Sequence, residues 1–381
     1  MKILMLFYFK VYFTAMMCLG KLLAKKGHIK KAQRILINRS DRIGDAVLTV
    51  PLIRKLSLMG YQVDVIASKT NRFIFDKAGI TVISECSMEP KNPAIEFLQF
   101  FLALARIVIT KFGKRKPKYD VFLDLVYRFL EPVKNFTSFS GKTIGYAFGL
   151  HSLAYDYRLP YPHKEPMQKA IEKMIQLFEP SFSYVPSVSD FADFAVVSKR
   201  VSDVIPVERF IVFHIGGKKG RTIKEDYIVG FLNKVNLRTL VVDDPGKRSI
   251  KRVKERINNP NVTFVEDEFS LFELLTMTAH SNCILYIGHD GGHSHLLGYP
   301  TNSLMIFTMG QHPVWRPYTF IPWKKKEITP GLILERSELE GREKMILYRK
   351  TWLRPSHNIS FDKLMEVNIL DAWDLIISKV S

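Results

Sequence analysis

Cysteine is scarce in this chain of 381 residues, and the first 40 residues contain no acidic side chain. The three cysteines, Cys18, Cys86 and Cys283, are odd in number and far apart, which excludes a disulfide scaffold and favours a reducing compartment. The spacings GxGxxG and GxxxxGK[ST] are absent, so a nicotinamide dehydrogenase and a P-loop nucleotidase have no support. Hydrophobic residues make up 47%, the usage of a globular protein with room for two or three domains.

The net charge of +19 is concentrated in two segments. Residues 1–40 contain nine basic side chains and residues 97–119 contain six, and neither segment contains an acid. Fifteen of the nineteen excess positive charges lie there, so the remaining chain is nearly balanced. A basic surface predicts an acidic partner, which can be a membrane, a nucleic acid or an anionic substrate.

Both basic segments also carry an apolar run. Residues 3–24 are long enough to just cross a bilayer, but Lys10 would lie near its centre. We therefore expect residues 1–33 to form a membrane-associating helix on the inner leaflet, with a short N-out anchor as the alternative. No small-x-small site follows, which disfavours a cleaved signal peptide. Residues 97–119 form either a core helix with a solvated basic tail or part of a membrane-facing surface shared with the first segment. The second interpretation is favoured, because the first segment has the same combination of apolar run and basic charge.

Short apolar runs alternate with helical stretches from residue 34 onward, which predicts parallel sheets covered by helices. Residues 179–194 lack periodicity and contain two prolines, which indicates a domain boundary. The expected organisation is a first α/β domain over 34–190, a second over 191–355 and a C-terminal helix over 356–381. Nine runs are predicted to be strands: 34–39, 61–68, 80–85, 119–126, 209–217, 238–244, 261–267, 282–292 and 301–310.

The first motif with chemical content is RSDRIGDAVLTVPLIRKL, which begins at Arg39. Asp45 follows a glycine turn at the start of a predicted helix, where a carboxylate is an ordinary helix cap. Arg39, Asp41 and Arg42 add more charge than a cap requires. A carboxylate beside basic side chains suits an acidic substrate whose hydroxyl must lose a proton.

Two glycine-rich turns follow strands in the second half of the chain. FHIGGKKGRT presents Gly216 and Gly217 beside cations that include Arg221, and GHDGGHSH presents Asp290, Gly291 and Gly292 at a helix start. Both turns let backbone amides approach a phosphate. His289, Asp290, His293 and His295 could suggest a metal cluster, but no cysteine, second carboxylate or HExxH spacing accompanies them, so no metal is expected.

The two stretches RSDRIGDAVLTVPLIRKL and GHDGGHSHLLGYPTNSLMIF together resemble the signatures of glycosyltransferase family 9, the ADP-heptose:lipopolysaccharide heptosyltransferases. Members of that family typically read RxxxIGDxxLTxPxIRxL and GNDSGPSHLAAALGxPTxALFG. YDVFLDL and GKTIGYAF are similar to further family stretches, and the resemblance covers roughly residues 34 to 320 in the right order. Three departures surround the second motif: His289 replaces Asn, His293 replaces Pro, and the stretch from His295 to Pro300 is about three residues shorter, close to one helical turn.

The resemblance implies a GT-B fold, with two Rossmann-like domains facing across a cleft. It implies inverting transfer of a heptose from ADP-heptose to the lipopolysaccharide or lipooligosaccharide inner core at the cytoplasmic face of the inner membrane, with no cofactor. Asp45 maps onto the family's general base. The donor would be bound by Gly216, Gly217, Arg221, Thr222, Asp290, Gly291, Gly292 and His295, and acidic groups of a lipid-linked acceptor by Arg42 and Arg128.

Two alternatives remain open at the level of sequence. The chain can use another nucleotide sugar or acceptor, or bind without turnover. A nucleic-acid-binding protein is the other class that the charge allows, but the basic segments are apolar rather than interleaved with polar side chains that read bases, and no binding motif is present.

Overall fold

The structure of the protein is a computed structural model. It describes residues 29, 32–86, 118–126, 140–147, 155–162, 165–217, 223–244, 249–266, 268–307, 324–329, 332–349, 372–374 and 377–378. The contacts divide the chain into two compact units, Met1–Tyr184 and Val185–Ser381. The division falls a few residues before the boundary expected at 190, within the segment that lacks periodicity.

Unit 1 contains a six-stranded parallel sheet with the order β3-β2-β1-β4-β5-β6. Its strands are β1 (Arg34–Arg39), β2 (Gln62–Ser68), β3 (Thr81–Cys86), β4 (Tyr119–Asp124), β5 (Ser140–Tyr146) and β6 (Tyr157–Leu159). The central strands are buried almost throughout, because helices cover a parallel sheet on both faces. Since all strands run the same way, their carboxyl ends meet at one edge of the sheet.

The helices of unit 1 are α1 (Ile43–Leu58), α2 (Arg72–Lys77) and α3 (Met167–Ile175). Helix α1 follows β1 after a three-residue turn and buries most of its side chains. Pro51 lies inside α1, and the helix continues through it to Leu58. A proline removes one backbone donor, and the tertiary packing of this buried helix outweighs that loss.

Unit 2 contains an eight-stranded sheet with the order β12-β13-β14-β11-β10-β7-β8-β9. Its strands are β7 (Phe210–His214), β8 (Arg238–Val242), β9 (Val262–Phe264), β10 (Cys283–His289), β11 (Ser303–Phe307), β12 (Lys324–Thr329), β13 (Leu332–Leu339) and β14 (Arg342–Arg349). The strands from β14 to β9 are parallel, and β13 is antiparallel to both of its neighbours.

Five α-helices are described in unit 2 before β11: α4 (Lys199–Val204), α5 (Glu225–Lys234), α6 (Ser249–Lys254), α7 (Leu271–Ala279) and α8 (Gly292–Leu297). A 3-10 helix over Val188–Phe194 precedes them. The core joins the inner faces of β7, β10 and β11 to α5. Trp373, from the segment expected to be a C-terminal helix, packs edge-on against Phe231 of α5.

All nine predicted strands are present, with ends that differ by a few residues, so the prediction of two parallel α/β sheets is confirmed. Residues 1–28 and 97–117 lie outside the described residues, as do most of 356–381. Among the described residues, no helix is both long and apolar enough to cross a bilayer. The expected membrane-associating helix and the expected cleft stay predictions.

Candidate active site

Unit 1 presents its chemical groups where β1 and β4, two neighbouring strands, end. Arg39 is the last residue of β1, and its guanidinium is fully buried. Nε donates to the backbone oxygen of Asp45 at 3.0 Å, and Nη1 donates to that of Leu125 at 2.9 Å. The same guanidinium pairs with Asp41 and Asp45, each at 3.2 Å. Arg39 therefore joins the first motif to the end of β4.

Asp45 lies in the first turn of α1 and is only 6% exposed. Its Oδ1 accepts a hydrogen bond from Nη2 of Arg39 at 3.2 Å, and its Oδ2 accepts one from the backbone N–H of Arg42 at 3.3 Å. The carboxylate thus caps the helix and is also held by a buried cation, so both interpretations of the sequence apply to one group. The side chain of Arg42 is exposed beside it.

The turn between β1 and α1 is held by β2 and the residues after it. Nδ2 of Asn71 donates to the backbone oxygen of Arg39 at 2.8 Å, and Oγ of Ser68 donates to that of Asp41 at 2.8 Å. Oδ1 of Asn71 accepts the backbone N–H of Ser68, also at 2.8 Å. Because these groups are buried, the bonds fix the turn that carries Asp41 and Asp45 in advance of any ligand.

Asp124, the last residue of β4, is 3% exposed and was not among the site residues expected from the sequence. Its oxygens accept hydrogen bonds from Nδ2 of Asn38 at 3.0 Å, the backbone N–H of Val126 at 3.1 Å and the hydroxyl of Tyr155 at 2.6 Å. Burial raises the pKa of Asp124 to about 6, although these donors and Arg39 oppose the shift. An acidic residue ending a buried strand was the available signal.

Gly145 in β5 explains how Tyr155 reaches Asp124. A Cβ atom at position 145 would lie 2.3 Å from the ring of Tyr155, so only glycine leaves room for the ring. This glycine belongs to GKTIGYAF, one of the stretches that carry the family resemblance. Packing inside unit 1 therefore explains why position 145 is a glycine.

Unit 2 places its glycine-rich turns after β7 and β10, which are also neighbouring strands. A Cβ atom at Gly216 would lie 2.7 Å from the backbone nitrogen of Asp244, so the glycine allows the residues after β8 to approach those after β7. Gly217 has a φ of 154°. Residues 218–222, which include Arg221 and Thr222, lie outside the described residues.

The GHDGG turn brings Asp290 and His295 together. Oδ1 of Asp290 lies 4.0 Å from Nε2 of His295, and both side chains are buried. Burial lowers the pKa of His295 to about 4, so its imidazole is neutral near pH 7. Gly291 precedes α8 as its N-cap and Gly292 begins the helix, so the amides of the first helical turn lie beside Asp290.

His289 at the end of β10 has a structural role. Its Nε2 accepts a hydrogen bond from the backbone N–H of Ile223 at 3.1 Å, which requires that nitrogen to be unprotonated. Burial lowers the pKa of His289 to about 4, with the nearby His214 adding to the shift. The histidine that departs from the family pattern here fixes the chain just after the expected donor loop.

A cluster of three potential metal ligands lies between the two turns: His214, Asp244 and His293. Oδ1 of Asp244 is 3.2 Å from Nε2 of His214 and 3.3 Å from Nδ1 of His293. The sequence grouped His293 with His289, Asp290 and His295 instead. The actual partners come from the ends of β7 and β8, which the order of the strands brings together.

The chain was compared with known proteins. No protein-family model matches it, and no curated protein does. The crystal structure of a family 9 glycosyl transferase from Veillonella parvula matches with a TM-score of 0.58 and 12% identity, over 91% of this chain and 97% of that one. E. coli heptosyltransferase WaaC with ADP-2-deoxy-2-fluoro heptose matches with a TM-score of 0.47 and 18% identity, over 72% of this chain and 89% of that one. S. aureus MnaA with UDP matches with a TM-score of 0.44 and 10% identity, over 74% of this chain and 80% of that one.

The chain has the fold of a family 9 glycosyltransferase. This similarity, together with the parallel sheets of the two units, confirms the GT-B prediction at the level of fold. Of the site residues expected from the sequence, Asp45 and Arg42 lie together at the start of α1 in unit 1. At the strand ends of unit 2 lie Gly216, Gly217, Asp290, Gly291, Gly292 and His295. Arg128, Arg221 and Thr222 lie outside the described residues.

Proposed function

We propose that this protein is an inverting glycosyltransferase that moves a heptose from ADP-heptose onto the inner core of lipopolysaccharide or lipooligosaccharide. The observation that carries the proposal is the placement of the two signature-like motifs. Each motif lies at the carboxyl ends of parallel strands, one in each unit, where α/β sheets bind their ligands. The first motif presents a buried carboxylate and the second presents glycine-rich backbone.

Asp45 acts as the general base in this proposal. It removes the proton of the acceptor hydroxyl as that oxygen attacks the anomeric carbon, and positive charge develops on the sugar ring in an oxocarbenium-like transition state. Arg39 holds one carboxylate oxygen, and the N–H of Arg42 holds the other, so the base is fixed before the acceptor binds. Fixed geometry of this kind lowers the entropic cost of reaching the transition state.

The leaving diphosphate is bound in unit 2 in this proposal. Backbone amides at Gly291 and Gly292 approach it, as do Arg221 and Thr222 from the turn after β7. His295 is neutral near pH 7, so it acts as a hydrogen-bonding group beside Asp290 and not as a cation. Metal-free departure of the diphosphate is the expectation from sequence, and the His214 cluster gives a reason to test it.

The test of the base is Asp45→Asn, an isosteric change that removes the proton acceptor. We expect the rate of heptose transfer to fall by about 10²–10⁴-fold, the usual contribution of a general base, while the affinity for ADP measured by calorimetry stays unchanged. Asp76→Asn is the matched control, because Asp76 is an exposed carboxylate of unit 1 that, in the described part of the chain, forms its ion pair with the surface Arg72. Transfer by Asp45→Asn at the wild-type rate would remove Asp45 from this role.

The donor and the acceptor need separate experiments. Purified protein offered ADP-heptose and other nucleotide sugars should turn over ADP-heptose fastest, and faster turnover of another sugar supports the alternative donor. Mass spectrometry of the lipopolysaccharide core from a deletion strain should show the loss of one heptose, and an unchanged core contradicts the assigned acceptor. Salt-sensitive binding to arbitrary DNA, stronger than to anionic liposomes, would support the nucleic-acid alternative.

The proposed location is the cytoplasmic face of the inner membrane, where a lipid-linked acidic acceptor is accessible. The support is the sequence of residues 1–33, which combines an apolar run with seven lysines and no acid. Deletion of residues 1–31 should release the protein from anionic vesicles in a flotation assay. Unchanged membrane association after the deletion would show that this segment is not the anchor.

A further inference from the structure

The cluster of His214, Asp244 and His293 has the dimensions of a metal site. A tetrahedral ion with bonds of ~2.0–2.1 Å to nitrogen and oxygen has ligand atoms about 3.3–3.4 Å apart. Oδ1 of Asp244 lies 3.2 Å and 3.3 Å from the two imidazole nitrogens, and all three ligand atoms lie within 4.8 Å of one another. Two edges of the tetrahedron are therefore already formed, and only the distance between the two imidazoles has to adjust.

Hydrogen bonding alone does not account for the approach of His214 to Asp244. Nε2 of His214 is buried and, among the described residues, makes no hydrogen bond of adequate geometry, even though Oδ1 of Asp244 is 3.2 Å away. The nitrogen and the oxygen are close without the alignment that an N–H donor requires. A metal ion bound by both atoms would bring them this close without that alignment.

The fold holds the three ligands by different means. His214 is the last residue of β7 and is 2% exposed, so the sheet fixes it. Asp244 follows β8, and the missing side chain of Gly216 lets its backbone approach. His293 lies in the first turn of α8, and its ring is tilted by 39° to that of His214 with centroids 5.2 Å apart.

We propose that His214, Asp244 and His293 bind a divalent transition-metal ion such as Zn²⁺, Mn²⁺ or Fe²⁺. Two imidazoles and one carboxylate favour these ions over Mg²⁺ and Ca²⁺, which prefer oxygen ligands. Three protein ligands leave at least one coordination position open. His293 stands where the family pattern has proline, so this ligand set is a feature of this chain. Given the proposed function, the open position accepts an oxygen of the donor diphosphate.

The test uses the full chain without an affinity tag, stripped with chelator and titrated with Co²⁺, whose visible ligand-field absorption reports coordination. Wild-type protein should bind one Co²⁺ per chain, and Zn²⁺ should displace it. His293→Asn should weaken binding by at least about a hundred-fold. His293 is suited to the test because its side chain is 26% exposed, so the substitution does not disturb the core.

His280→Gln is the matched control, since His280 lies at the other end of β10 and outside the cluster. It should bind Co²⁺ like the wild type. Equal Co²⁺ affinity of wild type and His293→Asn would overturn the site, as would the absence of bound Co²⁺ in the wild type. ADP added to the Co²⁺ protein should change the absorption, and an unchanged spectrum at saturating ADP would show that the diphosphate does not bind at the open position.

The metal site and the proposed function can fail separately. Asp45→Asn should bind Co²⁺ with wild-type affinity, because Asp45 lies in the other unit and contributes no ligand. Metal binding without heptose transfer would contradict the proposed function alone. Heptose transfer by a wild type that binds no Co²⁺ would contradict the metal site alone. Transfer at full rate by the chelator-treated wild type would contradict only the role of the open position in binding the diphosphate.

Discussion

Asp124→Asn should make unit 1 more stable at neutral pH and remove part of its pH dependence. Asp124 is buried at the end of β4, and burial raises the pKa of its carboxyl group from 3.8 to about 6. Above pH 6 the folded protein therefore holds an ionised carboxylate in a site that favours the protonated form. The amide is nearly isosteric and carries no charge at any of these pH values.

The sign and size of the change in stability caused by Asp124→Asn follow from proton linkage. Between pH 3.8 and 6 the folded state binds more protons at this group than the unfolded state, so stability falls as the pH rises through that window. The shift of the pKa of Asp124 from 3.8 to about 6 lowers the free energy of unfolding by about 3 kcal/mol at pH 7.5. We subtract about 1 kcal/mol because the hydroxyl of Tyr155, which donates to Asp124, must become an acceptor of the new amide. The expected gain is thus about 2 kcal/mol at pH 7.5 and close to zero near pH 4.

Hydrogen exchange of β1 and β4, followed by mass spectrometry, measures this effect where it arises. A gain of about 2 kcal/mol slows exchange about 30-fold at pH 7.5 once the intrinsic rates are corrected for pH. All four tryptophans of the chain, at 315, 323, 352 and 373, lie in unit 2, so the unfolding transition seen by tryptophan fluorescence should not change. The two readouts separate an effect on unit 1 from a global one.

Asp76→Asn serves again as the control, because an exposed carboxylate of the same unit should change stability by no more than about 0.5 kcal/mol. The same pH slope of protection in wild type and Asp124→Asn would refute the argument, since the carboxylate would then not be the group that titrates. Loss of protection in the variant at every pH would show that hydrogen bonds to the charged form outweigh its burial.

Two further predictions concern unit 2. Gly288→Ala should lower the melting temperature and weaken ADP binding in calorimetry, because the new Cβ would lie 2.3 Å from the hydroxyl of Tyr286 and 2.5 Å from Oγ of Ser294. Gly291→Ala is the control and should leave the melting temperature unchanged, because its Cβ would meet nothing closer than 3.8 Å. An equal fall in melting temperature for both variants would contradict the steric reasoning. Cys283 should resist alkylation by iodoacetamide in the native protein and react on unfolding, because it is buried and burial raises the pKa of its thiol to about 12. Fast labelling of Cys283 in the native protein would contradict its burial.

The fold could be predicted from sequence where strands are buried on both faces. Strands β1 and β10 have continuously apolar centres, residues 35–37 and 283–287, as expected for strands in the middle of a parallel sheet. The antiparallel strands β12 to β14 were missed because they are rich in charge, as in KKKEIT and REKMILYR. The hairpin between β13 and β14 turns at Glu340 and Gly341, which both have positive φ. This Glu-Gly pair is not the Asn-Gly or Asp-Gly pair that signals such a turn in a sequence.

The site could be predicted only where its residues are contiguous in sequence. Arg39, Asp41 and Asp45 lie within one motif, so their proximity follows from a short turn. Asp124 reaches the same place because β4 pairs with β1, a fact of strand order that no local pattern contains. For the same reason the histidines after β10 did not predict the cluster of His214, Asp244 and His293, because His214 comes from β7.

The charges in unit 1 limit what the acceptor can bind to. One buried guanidinium, that of Arg39, faces the carboxyl groups of Asp41 and Asp45 directly and also acts electrostatically on Asp124. Near pH 7 these buried groups carry an excess of negative charge, which repels an acidic acceptor. An acceptor with phosphates or carboxylates therefore needs cations from the rim, and the exposed Arg42 is the described residue beside Asp45 that supplies one. Arg42→Ala should raise the KM for an acidic acceptor about tenfold with a smaller change in kcat, and an unchanged KM would indicate a neutral acceptor.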